Sequence, residues 1–458
     1  MPPATSSRSS ATCENDSNRE WGGARVTLTG FSLPELSAFD PPVEGEGSLD
    51  PMGLAAISDR LADLLIPGLR ARMRRVRFVT AIAVGAVACE TLADEIAADG
   101  ISTPSICFEW LVVEAFVRRL PAGQGFPLGV PGSFKARTVV TRSQRLSAAT
   151  YLKGPSVFGF HGVYKPFAVD SDVIGSGLEP GGRCADLTRR WEREQGFVGF
   201  TDRVPHTTGG KLRIQIRDEV LSTLRAGRCT TNPGGRLFGR LTASLHPGTP
   251  GTAERQALRA LITDGKHETR AELARHLWQA DEELTEAQVL DVVRPKCSTA
   301  LGQIVDAVVA YERFGALVDA AFRTLCSVSY AMGAQPLTPK LVQDHEMIAR
   351  CAAELPSRYR AAAERMSAIG ADAGFEERLG EFAIGRSSGE LVELVLSHHE
   401  RVQAAKPPNG KRSWFDPLRD GWVVRSSYGS PDQPELGPRF VHPVRVTPLR
   451  RFLEDTRR

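Results

Sequence analysis

This chain of 458 residues has no apolar run long enough to cross a bilayer. The longest is FVTAIAVGAVAC at Phe78–Cys89. It falls short of the roughly 20 residues that a spanning helix needs, and reads as a buried core helix. The first 22 residues lack the apolar stretch of a secretory signal and are rich in Ser, Asn, Pro and charge. That composition predicts a disordered tail. The eight cysteines form no CxxC pair, and no Cys/His cluster has zinc spacing. No metal or other cofactor is therefore expected. Scattered single thiols predict free cysteines, mostly packed as small hydrophobes, in a cytoplasmic protein. HExxH, GxxxxGK(S/T) and GxGxxG are all missing, as are the usual spaced acidic patterns of nucleases. No repeat of solenoid period is present.

The net charge of +3 hides an uneven distribution. Residues 133–240 hold 18 Lys/Arg against 9 Asp/Glu, a balance of +9, and residues 396–458 hold 12 against 7, a balance of +5. Acidic blocks lie before and between them. A local positive excess is the footprint of a polyanion binder, and a solvated surface is the plain alternative.

The pattern predicts a mainly α, multi-domain protein with small β elements near both ends. After the tail come an N-terminal helical domain at 23–132 and a basic domain at 133–240. A helical domain at 241–405 and a basic C-terminal segment at 406–458 complete it. Val26–Phe31 alternates like a strand, and Trp422–Arg425 and Phe440–Val446 are strand-like. Asp50-Pro51 predicts the start of a helix to about Ile66, followed by helices over Leu69–Ala98 and after Pro104. Residues 121–135 read as a Pro/Gly connector. Within 133–240 the order is a helix at Gln144–Leu152, a turn, an apolar helix, a small hairpin at Val173–Leu178, and a charged helix over Pro180–Gln195. That order predicts a winged helix-turn-helix. Farther on, a wide amphipathic face predicts a helix over Gln303–Met332.

Four features carry candidate chemistry. The winged segment places Lys153, His161, Tyr164 and Lys165 on or beside its reading helix, with Arg183, Arg189, Arg190 and Arg193 on the next. Such cations would neutralise phosphates. Arginines at 70, 72, 74, 75 and 77 cannot share one helical face, so Arg72, Arg74 and Arg75 meet either phosphate or nearby acids. In HHERVQAAKPPNGKRSWF, residues Lys406, Lys411, Arg412 and Trp414 set cations beside an aromatic, which suits a stacked base or closes a domain. Glu114, Glu109 and Glu90, in that order, are carboxylates in apolar helices, where a raised pKa suits acid/base work. The alternative for Glu114 is an ion pair with Arg118, one helical turn on. The string GRSSG at 385–389 has the letters of a nucleophile elbow, but Ser387 and Glu390 fit a helix-capping box better.

The strings GPSVFGFHGVYKPFAV, LEPGGR and RRWEREQGFVGF resemble a pattern in uncharacterised bacterial proteins of anti-phage defence. SLDPMGLAAISDRLADLLIPGLRARMRR and HHERVQAAKPPNGKRSWF fit the same likeness. The resemblance implies a protein acting on double-stranded phage DNA, of a kind that includes DNA glycosylases excising modified bases. A glycosylase would flip the base into a pocket, and a carboxylate would stabilise the oxocarbenium-like sugar. The alternatives are a non-catalytic DNA-binding adaptor that recruits an effector protein, and a nuclease of unrecognised type.

Overall fold

Asp50 opens the first helix, as its carboxylate accepts from Leu54 N at 2.9 Å and Ala55 N at 3.0 Å. Helix α1 follows at Ala55–Leu65. The computed structural model describes residues 50–120, 129–264, 266–278, 284–407 and 409–457. The expected tail, the expected strand at Val26–Phe31 and residues 121–128 of the expected connector lie outside these.

Helix α2, Phe78–Cys89, has Thr80 as its one hydroxyl-bearing residue and is buried along its whole length. A helix apolar on every face needs neighbours on every face. They are α3 (Pro104–Arg119), α6 (Phe160–Asp170), α7 (Cys184–Glu194), α8 (Thr208–Ala226) and α9 (Arg236–Leu245). Between α3 and α6 lie α4 (Ser133–Thr141) and the single turn α5 (Pro155–Phe158). Gly85 lets α3 come close, because a Cβ there would lie 2.6 Å from the Phe108 ring.

The second half begins with α10 (Thr252–Ile262), α11 (Glu268–Leu277) and α12 (Glu286–Val293). The long helix α13 (Thr299–Met332) packs against α1 and against α15 (Glu346–Ser367), which follows the short α14 (Pro339–Val342). After α16 (Phe375–Leu379), helix α17 (Ser388–Ala404) starts at the Ser387–Glu390 capping box, so GRSSG is a cap. Strands β1 (Phe415–Leu418) and β2 (Gly421–Val424) pair antiparallel, with Phe415 opposite Val424. Helix α18 (Val446–Asp455) ends the chain and packs on α10, α11 and α12. The described chain is thus mainly helical, with one two-stranded sheet. No described helix is long and apolar enough to cross a membrane. The buried apolar cluster runs from Met52 to Leu453, within a compact unit spanning Ser48–Arg458. The expected boundaries at 132, 240 and 405 fall inside that unit.

Several elements differ from expectation. The helix expected from Leu69 begins only at Phe78, because amides upstream bond to distant side chains. Tyr164 Oη accepts from Arg74 N and Arg75 N at 2.7 and 2.9 Å, and Asp455 accepts from Val76 N at 3.1 Å. No helix forms over Gln144–Leu152, where Ser147 bridges to Arg228 and Leu146 O accepts from Cys229 N. Helix α4 forms instead, partly inside the expected connector. Where a hairpin was expected at Val173–Leu178, the described chain has one bridge, Ile174 to Pro180. Phe440–Val446 forms no strand, since the Val441 and His442 amides both donate to Glu312 at 3.0 Å and Pro443 has no N–H.

That Glu312 carboxylate, buried on α13, also accepts from Ser58 at 2.7 Å and meets the His442 imidazole at 3.0 Å. Burial by itself pushes the His442 pKa down; the hydrogen bond to Glu312 and its charge outweigh burial and raise it. Protonated His442 therefore stabilises the fold. This contribution is full below the unfolded value of about 6.5 and fades as pH rises through the higher folded value. In thermal melts, the margin of the native chain over His442→Gln should shrink as pH rises from about 6 to about 9. A margin independent of pH would count against the pair.

Candidate nucleic-acid interface

The three candidate carboxylates occupy three different settings. Glu114 is fully buried on α3, and its Oε1 lies 2.7 Å from Arg118 and 2.6 Å from Arg145 Nε. The ion pair anticipated one turn along the helix is present, with a second arginine added. Two guanidinium groups thus hold this carboxylate in place.

Glu109, also fully buried on α3, reaches the start of α6. It accepts from His161 N at 3.0 Å, and Tyr151 Oη donates to it at 3.0 Å. Gly159 makes room, because a Cβ there would lie 2.0 Å from the carboxylate. Burial pushes the Glu109 pKa up to about 8, against the pull of these donors. Its surroundings are those of a remote helix cap, with the acid matching the positive end of α6.

Glu90 is half-exposed and pairs with Arg203 at 2.7 Å and Arg213 at 2.9 Å. It lines a cavity of about 110 Å³ together with Cys89, Ser105, His161 and Glu179. His161 is buried, its pKa pushed by burial down to about 3, and its enclosed Nδ1 has no partner among the described residues. The structure thus joins Glu90 and His161 at one cavity and keeps Glu114 with its arginines.

Burial rearranges the expected nucleic-acid contacts. Tyr164 and His161 are both buried, Tyr164 within the core and His161 at the lining of the cavity beside Glu90. Trp414 is buried and stacks on Tyr428 at 4.4 Å, beside Phe322 at 5.3 Å. The two histidines before it bond to Met52 O and Pro51 O at 3.0 and 2.9 Å. Lys406 Nζ donates to Asp50 O at 2.6 Å, and Arg412 pairs with Asp416 at 2.9 Å, while Lys411 is half-buried. The C-terminal turn therefore closes the core over α1. Of the arginine run, Arg77 is buried, Arg75 pairs with Asp455 at 2.6 Å, and Arg70 pairs with Asp63. Arg72 and Arg74 stay exposed. Arg72 lies 4.7 Å over the ring of Phe158, itself 50% exposed, which leaves an aromatic and a cation together on the surface. Lys153 is exposed, and Lys165 half-buried. Arg183, Arg189 and Arg190 pair with Asp264, Asp202 and Asp186, whereas Arg193 is exposed.

Sequence reasoning missed a second surface. Arg119, Arg236 and Arg240 line an open groove of about 600 Å³ at the start of α9, and no Asp or Glu among the described residues lines it. Gly234, Gly235 and Gly239 expose backbone along it, and half-buried Phe197 forms one edge. Ser244, also lining it, has a buried hydroxyl without a partner among the described residues. Arg119 sets the loop by donating to Pro233 O and Gly235 O at 3.2 and 2.9 Å. The sequence signal was Asn-Pro-Gly-Gly-Arg directly before an amphipathic helix, a pattern that opens a helix N-terminus to an anion. No family profile, curated protein or solved structure matches this chain.

The burial of Glu109 has a measurable signature. With a folded pKa above the unfolded one, the carboxyl favours the folded state less as pH rises from about 4.5 to about 8. Glu109→Gln keeps the shape and cannot ionise. It should gain stability relative to the native chain across that interval; equal pH profiles for the two would refute the upward shift.

Proposed function

We propose that this chain acts on DNA as a bacterial anti-phage defence protein, holding the phosphate backbone in the Arg119–Arg236–Arg240 groove. The observation that carries the reading is an acid-free groove with three arginines, a glycine-lined wall and a helix N-terminus. Guanidinium forks suit phosphate oxygens, and the open N–H groups of a helix start add donors. Phe197 offers an apolar edge for a sugar or base. The basic segment 133–240, expected as a winged helix, supplies Arg236 and Arg240, and Arg72 with Phe158 and Lys153 forms a further binding surface. The defence setting is supported by the resemblance carried by GPSVFGFHGVYKPFAV, LEPGGR and RRWEREQGFVGF.

A second reading, DNA glycosylase activity, is favoured by the cavity that Glu90, Glu179 and His161 line. In it, the bond between C1′ and the base breaks, water oxygen adds to C1′, and the base leaves with a proton. Glu90 would stabilise the positive sugar. Without such chemistry, the protein is a DNA-binding adaptor for an effector.

Anisotropy titrations with duplex DNA at several salt concentrations test the first reading. Arg236→Ala with Arg240→Ala should weaken binding and lower the salt slope by about two, near one for each phosphate that is no longer neutralised. Unchanged affinity and slope would reject the groove. Incubation with modified phage DNA, with and without chelator, followed by alkali, tests the chemistry. Alkali-dependent breaks that Glu90→Gln abolishes support base excision; direct, chelator-sensitive breaks indicate a nuclease; intact DNA indicates the adaptor.

A further inference from the structure

We propose that Glu272, His276 and Cys297 form a binding site for a divalent transition metal, with zinc the fitting ion. Glu272 and His276 lie one turn apart on α11, and Glu272 Oε1 is 3.7 Å from His276 Nε2. Cys297 belongs to the corner between α12 and α13, after a tight helical turn at Arg294–Lys296. One ligand atom from each of the three lies within 4.8 Å of the others. Tetrahedral zinc, with bonds of about 2.0 Å to N and O and about 2.3 Å to S, sets its ligand atoms roughly 3.3–3.6 Å apart. A contraction of about 1 Å, within the reach of side-chain rotation, closes the site.

The chemistry of the donors selects the ion. A thiolate, an imidazole and a carboxylate suit zinc and its neighbours, whereas magnesium and calcium prefer oxygen alone. All three residues are half-buried, so the site is shielded and still open to exchange. Three protein ligands leave one coordination position to water.

The carboxylate is already held in place. Ser298 N and Oγ donate to Glu272 at 2.6 and 2.7 Å, which fixes its orientation as an outer partner does for a metal ligand. Ser298 also caps α13, so one residue sets both the carboxylate and the corner that carries Cys297. Holding Ser298 accounts for Glu272; it does not account for a histidine and a thiol gathered beside it. At present the Cys297 thiol donates to Val293 O at 3.4 Å. Metal binding replaces that S–H with an S–metal bond and releases the proton to solvent. The bound ion would tie the α12–α13 corner to α11, in a part of the fold separate from the arginine groove, and the proposal stands apart from the DNA-binding reading.

Cobalt(II) reads this site directly, because a thiolate ligand gives a sulfur-to-cobalt charge-transfer band and a tetrahedral field gives strong visible bands. The full chain, stripped with chelator and titrated with cobalt(II), should show both, saturating at one equivalent and abolished by zinc. Cys297→Ser should lose the charge-transfer band, and His276→Ala should weaken cobalt binding at least tenfold. Cys326→Ser, which removes a buried thiol elsewhere, should leave the spectrum unchanged. Absence of a saturable band in the native chain, or its survival in Cys297→Ser, would overturn the proposal. Circular dichroism of each variant distinguishes loss of the site from loss of the fold.

Discussion

Helix α2 has no side that tolerates water, and the first half of the chain is arranged to meet that demand. Five helices enclose it, and their own polar faces then form the surface. Full burial also fixes where its ends go. Arg77, at the N-terminal edge, cannot reach water and is held by Glu254 at 2.9 Å and by Ser244 O at 2.8 Å. That one guanidinium joins α2 to the end of α9 and the start of α10. A buried charge costs much unless it is paired, so such an interaction fixes the relative placement of three elements.

The same rule decides what the other buried ions do. Arg270 is fully buried against Asp170, and Arg445 against Asp59 and Asp63. Glu114 sits between two arginines, and Glu312 gathers Ser58 and His442. Except for Glu114 with Arg118, one turn apart on α3, each pair joins residues far apart in sequence. Glu114, which invites a catalytic reading on the sequence, is thereby tied to Arg118 and Arg145. Glu90 differs because it lies at the rim of α2, where burial ends and a cavity begins.

Open surfaces and clusters without a structural role remain where the packing is incomplete. Three glycines lie along the wall of the groove beside α9, and Arg119 braces its loop through Pro233 O. Phe158 stays exposed because α5 is a single turn that ends at Gly159, and Arg72 covers its ring. The Glu272–His276–Cys297 cluster stands at a corner between helices, where α11 meets the α12–α13 turn. All three places are made by helix ends.

Local patterning was readable in three elements above all. The uniform apolar content of Phe78–Cys89 determined a core helix, the face of Gln303–Met332 determined the long helix α13, and Ser387-x-x-Glu390 determined the cap of α17. These follow from periodicity and from hydrogen bonds within one turn, which neighbouring residues suffice to specify. The irregular run Leu69–Arg77 was not readable, because its amides bond to Tyr164 and Asp455, residues about 90 and 380 positions away. The burial of His161, Tyr164 and Trp414 was hidden for the same reason. So were the groove, which takes Arg119 from α3 and Arg236 and Arg240 from α9, and the meeting of Cys297 with His276. The sequence by itself determined a mainly helical chain with a basic middle segment. Only the tertiary structure decided which cations and acids remain at the surface, because pairing of buried charge depends on distance in space.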